Sequence, residues 1–126
     1  MKQKIKRKIS RKGLVKKLDA LVSQIVRIRD KKCVVCNSTD KLGCGHLFTR
    51  RYYSTRWDLQ NCHAQCWKCN FSHEHDPYPF TNFYINKFGK PSLDALHARH
   101  VISLPVKTFQ LELLRDELEK ILEEVK

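Results

Sequence analysis

Cys33-Val-Val-Cys36 and Cys66-Trp-Lys-Cys69 form two C-x2-C pairs separated by 29 residues, and they constrain the fold more than any other feature of the chain. A two-residue gap lets both sulfurs of a pair face one ion from a tight turn, and four thiolates suit tetrahedral zinc. With every position filled by protein no place is left for water, so this zinc is expected to hold the fold rather than do chemistry. The long intervening segment leaves room for a hairpin and a loop. The plainer alternative is buried cysteines or a redox pair. Cys44 and Cys62 are unpaired in sequence and read as small apolar core residues.

A chain of 126 residues makes one compact domain with a modest core. Lys and Arg number 25 against 13 acidic residues, and the formal charge of +12 favours a polyanionic partner, nucleic acid or an anionic membrane surface. The charge is uneven: residues 1–32 hold 13 basic and 2 acidic side chains, whereas residues 105–126 hold 4 and 6. No apolar run approaches the ~20 residues that span a bilayer. The basic start is not followed by an apolar stretch and cleavage site. The expectation is a soluble, cytoplasmic protein, in the host cytoplasm if a phage encodes it, where reducing conditions suit metal-binding cysteines.

Residues 1–12 read as a flexible basic arm. Over 13–31 the recurrence of Leu14, Leu18, Leu21, Val22, Ile25 and Ile28 predicts an amphipathic helix with cations at its C-terminal end. Residues 32–104 form the zinc-stabilised core and following helices. Gly43 and Gly45 punctuate an expected hairpin near 41–53. Thr81 is expected to cap a helix that Gly89 stops, Ser92 a second one through His100, and Pro105 opens the last helix, over 105–126. Helices around a short hairpin make the fold class α+β.

Between and after the cysteine pairs lie Gly45-His46, Asn61, the run Gln65-Cys66 and the run Cys69-Asn70. In this order, over about residues 33–90, they resemble the HNH or His-Me finger nucleases, and specifically the lambdoid phage NinG (Rap) recombination endonucleases. The resemblance implies a small ββα-metal core, metal-dependent DNA endonuclease activity, and branched recombination intermediates, such as Holliday-junction-like or forked DNA, as substrate. It implies His46 as general base, Asn61 as the asparagine that fixes the loop, and Asn70 as ligand to a catalytic divalent cation. His73 falls where relatives often place another metal- or phosphate-contacting residue.

The chemistry of the residues agrees. Phosphodiester hydrolysis needs a water deprotonated near neutral pH, which suits histidine, and a cation to stabilise charge on phosphate and leaving oxygen. Asn70 and His73 are three apart and share a side if they start a helix. An amide oxygen with water and phosphate oxygens suits Mg2+ or Mn2+. Many relatives carry Asp directly before the histidine; here Gly45 stands there, and Asp58 or His75 are candidates to replace it. NinG-like chains share the Gly-His form.

Lys6, Arg7, Lys8, Arg11 and Lys12 of the arm are expected phosphate contacts, as are Arg50, Arg51 and Arg56, which are interleaved with Tyr52, Tyr53 and Trp57. Trp57, Phe80, Phe83, Tyr84 and Phe88 read as core. His63, His97 and His100 read as ordinary polar residues, the last two on one helix that can contact phosphate, and His73-Glu74-His75-Asp76 reads equally as a metal-binding run or as a solvated charged turn. The rival function is a non-catalytic, zinc-stabilised nucleic-acid-binding module. Leu111, Leu114, Leu118, Ile121 and Val125 keep the spacing of a coiled-coil seam, which predicts a homodimer through the last helix or, within one chain, a contact with the basic helix.

Overall fold

The computed structural model describes residues 8–102 and 104–126; Lys6 and Arg7 of the expected arm lie outside them. The elements are α1 (Arg11–Asp30), β1 (Leu42–His46), α2 (Tyr53–Arg56), β2 (Cys62–Cys66), α3 (Trp67–His73), α4 (Tyr78–Phe88), α5 (Lys90–Val101) and α6 (Thr108–Val125). They form a mixed α+β fold around one two-stranded sheet.

Helix α1 starts at a serine cap, where Ser10 Oγ accepts the Gly13 N–H at 3.1 Å, so Arg11 and Lys12 belong to its first turn and not to a flexible arm. It ends at Lys31, whose left-handed backbone (φ 66°) lets its N–H donate to the Arg27 carbonyl at 3.0 Å. Its apolar face, from Leu14 to Val26, shares one core with Leu111, Leu118 and Leu122 of α6 and with Trp57 and Cys62. The stripe that needed a partner finds it in α1 of the same chain, where burial of each leucine stabilises by ~1.5–3 kcal/mol. The last helix begins at Thr108 and not at Pro105, because Gln110 Oε1 accepts the Lys107 N–H at 2.7 Å and closes the first turn there.

The sheet corrects the expected hairpin over 41–53. Strand β1 pairs antiparallel with β2, in the register Leu42↔Cys66 to His46↔Cys62, and residues 47–61 form a loop that carries α2. Every residue of β2 is buried, the polar His63 and Gln65 included, so its alternation of small apolar and polar side chains does not mark a solvent face. Helix α1 packs on the sheet. On its opposite side His63 lies among the rings of Phe80, Phe83, Tyr84 and Phe88.

Helix α4 starts at Tyr78 after Pro77, three residues before the expected Thr81 cap, and the Thr81 N–H already donates to the Pro77 carbonyl at 3.1 Å. Gly89 ends it as expected, at φ 90°, and the next helix follows at once, leaving Ser92 inside its first turn instead of at the cap. Leu47, Phe80, Tyr84 and Leu96 form a second small core beneath the sheet and loop.

Candidate functional site

The two cysteine pairs converge. The first lies before β1, Cys66 ends β2 and Cys69 is in the first turn of α3, with the four sulfurs all within 4.8 Å of one another. Cys36 Sγ and Cys66 Sγ are 3.6 Å apart, close to the ~3.8 Å edge of a tetrahedron with Zn–S bonds of ~2.3 Å. The donor set could thus hold a structural metal such as zinc. Burial opposes ionisation of Cys33, yet the backbone N–H groups of Cys36, Cys66 and Val35 outweigh it and bring its pKa down to about 7. The Val34 N–H donates to the Ala64 carbonyl at 3.0 Å and ties this knuckle to β2.

His46 ends β1 beside the loop. Its Nε2 lies 2.9 Å from the Arg56 carbonyl oxygen. A carbonyl only accepts, so Nε2 carries the proton and Nδ1 keeps its lone pair. Burial pushes the His46 pKa below the usual imidazole value, and the charge of Arg50 lowers it further against the Arg56 carbonyl bond. The ring is therefore neutral at neutral pH.

The loop that supplies this carbonyl is held by Asn61, which is fully buried. Asn61 Oδ1 accepts the Phe48 N–H at 2.8 Å, and Nδ2 donates to the carbonyls of Phe48 at 3.0 Å and Thr55 at 3.1 Å. Asn61 is thus a positioning residue for the turn around His46. Arg56, expected on nucleic acid, is held inside the fold instead: its guanidinium makes a bidentate pair with Asp19 at 3.0 and 2.7 Å. Trp57 Nε1–H donates to the same carboxylate at 2.8 Å, which places Trp57 in the core as expected.

Helix α3 lies across the site from His46. A cavity of about 430 Å³ is lined by Cys44, His46, Thr49, Arg50, Asn70, His73 and Glu74, among others. His73 Nε2–H donates to the Leu47 carbonyl at 2.9 Å, which leaves Nδ1 as a lone-pair donor, buried and without a partner. An unpartnered buried nitrogen costs about 1–3 kcal/mol, and a cation would satisfy it. Asn70, His73 and Glu74 follow helical spacing, so one turn presents an amide, an imidazole and a carboxylate to one cavity.

Glu74 was weighed in sequence only as part of the 73–76 run and not assigned to the site. Its signal was the four-residue step from Asn70, hidden in a run that also reads as a polar turn. Asp58 accepts from Arg99 at 3.0 Å and does not line the cavity, and neither does exposed His75. The structure also accounts for Gly45: the Gln65 side chain lies across it, and a Cβ there would collide with the Gln65 carboxamide oxygen.

Of the expected phosphate contacts, Lys8, Lys12, Arg50 and Arg51 are exposed. Arg11 is engaged with the connection into α6, donating to the Val106 carbonyl at 2.6 Å and to Thr108 Oγ1 at 3.1 Å. His100 is not a phosphate contact: it is buried, its Nδ1 shares a hydrogen bond with Thr55 Oγ1 at 2.8 Å, and it stacks on Phe48. His63 donates from Nε2 to the Gln60 carbonyl at 2.9 Å and accepts from Arg29 at 3.1 Å; burial brings its pKa down to about 4. Exposed Trp67 and Phe71, one turn apart on α3, were also missed as aromatic surface.

A two-stranded sheet, a crossing helix and a four-thiol knuckle beside a His/Asn/Glu-lined cavity define a small α+β protein with a candidate metal centre. The bacteriophage lambda NinG protein family matches residues 1–126, and the chain belongs to that family. Membership suggests a recombination-related phage function. No curated protein and no solved structure matches the chain. Among the described residues no helix is long and apolar enough to cross a membrane.

Proposed function

We propose that the chain is a metal-dependent DNA endonuclease of the HNH type, with β1, β2 and α3 as its ββα-metal core and branched recombination intermediates as substrate. One observation carries this reading: His46, with its Nδ1 lone pair left free, lines the same cavity as the orphaned Nδ1 of His73.

Asn70, His73 and Glu74 would hold Mg2+ or Mn2+, and the knuckle would hold structural zinc. When bound, the divalent cation supplies Lewis-acid stabilisation of charge on the phosphate and leaving oxygens. His46 takes a proton from water at Nδ1 as the new P–O bond forms and the bond to the leaving oxygen breaks. The Arg56 carbonyl holds the ring and stabilises the imidazolium that results. Arg50, at the cavity wall, draws the scissile phosphate in, and Arg51 with Lys8 and Lys12 contacts flanking phosphates. Trp67 and Phe71 offer stacking surface to unpaired bases at a branch.

The test is a cleavage panel of linear, nicked, forked and four-way DNA with Mg2+, Mn2+ and EDTA. Cleavage of the branched substrates, abolished by EDTA, is expected. A purified, folded chain that binds all four DNAs and cuts none would establish the binding module instead.

A further inference from the structure

Cys44 and Cys62 do more than fill the core. We propose that Cys44, His46 and Cys62 form a second site for a thiophilic divalent metal such as zinc, distinct from the four-thiol knuckle, whose occupancy silences His46.

The three side chains come from adjacent strands, and the register places His46 opposite Cys62, with Cys44 on the same face. Their donor atoms all lie within 4.8 Å of one another. Two sulfurs and one imidazole nitrogen are a favourable donor set for zinc and a poor one for Mg2+, so the site selects against the catalytic cation by softness. Cys44 and His46 both line the cavity, which gives an ion a way in, while Cys62 forms the buried floor. On binding, each thiol loses its proton to solvent as its sulfur coordinates. Two thiolates then neutralise the dipositive ion, so the filled site carries no net charge to bury. The Arg56 carbonyl borders the same space, 2.9 Å from His46 Nε2 and 3.3 Å from Cys62 Sγ.

A neutral imidazole has one lone-pair nitrogen, so a ring that coordinates metal through either nitrogen has none left to take a proton from water. The consequence for cleavage rests on the nuclease reading above; the binding of the metal does not. In Mg2+, zinc beyond the amount held by the knuckle should reduce cleavage by about 10²-fold or more, the contribution of a general base.

The experiment titrates the reduced full chain with Co2+ in place of zinc and reads stoichiometry and the thiolate-to-cobalt absorption. With excess Mg2+ present to fill the Asn70, His73 and Glu74 site, and counting only ions that give thiolate-to-cobalt absorption, wild type is expected to take up about two ions, and Cys44→Ser, Cys62→Ser and His46→Ala about one each, with the four-thiolate spectrum of the knuckle retained as the sign of folding. A wild-type chain that stops at one ion with a four-thiolate spectrum overturns the site. So does a second thiolate-ligated ion that survives all three substitutions. A second ion that binds without inhibiting cleavage leaves the site standing and removes His46 from the reaction, so the two failures are distinguishable.

Discussion

Asn61 grips Phe48 by both faces of its backbone, accepting its N–H at 2.8 Å and donating to its carbonyl at 3.0 Å. The loop between the strands therefore has one fixed path, and that path delivers the Arg56 carbonyl to His46. Asn61→Ala strands buried backbone groups, each costing ~1–3 kcal/mol, and should destabilise the fold by about 2–4 kcal/mol in chemical denaturation. Asn61→Asp keeps the acceptor but not the two donor bonds and should not restore stability. A loss of less than ~0.5 kcal/mol in the alanine variant would mean that the loop is held by other contacts.

The pH dependence of cleavage follows from His46. Burial holds its folded pKa below 6.5, so the neutral, basic form prevails at neutral pH and the rate falls as pH drops through the lowered folded pKa. The acid limb of kcat/KM should sit below 6.5, the ordinary histidine value. Arg50→Ala removes a neighbouring positive charge and should move that limb upward. A limb that stays put or moves down in the variant would contradict the assigned environment.

Leu118 sits in the seam between α6 and α1, 2% exposed, whereas Leu113 on the same helix is 63% exposed. Leu118→Glu buries an unpaired carboxylate and should cost about 3–5 kcal/mol or unfold the chain, while Leu113→Glu should stay within ~0.5 kcal/mol. Circular dichroism with urea titration measures both. A folded Leu118→Glu variant that merely dissociates from dimer to monomer would place the partner of α6 in a second chain.

Removal of the knuckle metal should unfold the site it anchors, since the free energy of binding a structural zinc is folding free energy, ~10–16 kcal/mol in small zinc modules. Elemental analysis should find zinc in the purified chain, and Cys33→Ser or a strong chelator should release it together with the tertiary near-ultraviolet signal. A metal-free preparation with that signal intact would make the four cysteines ordinary thiols.

The cysteine pairs converge as their spacing foretells, and the apolar periodicities of α1 and α6 placed both helices to within a few residues. Strand β2 was not legible because it is only five residues long and holds none of the β-branched or aromatic residues that mark strands; its polar His63 and Gln65 are buried by tertiary contacts. Arg56 reads as a free cation in sequence, and only the fold brings Asp19, 37 positions away, to its guanidinium. Glu74 sits in a run that looks solvated until α3 turns it toward Asn70 and His73. Local pattern reveals helices and ligand spacing; pairings across the chain and the face a short helix presents belong to the tertiary fold.

The most direct test of the account compares His46→Ala with wild type in single-turnover cleavage of a four-way junction in Mg2+, alongside junction binding in Ca2+. Removing the base should lower the rate by about 10²–10⁴-fold and leave binding within ~3-fold, because phosphate contacts lie elsewhere. A variant that cuts at the wild-type rate, or one that loses binding and cleavage equally, would contradict His46 as the base.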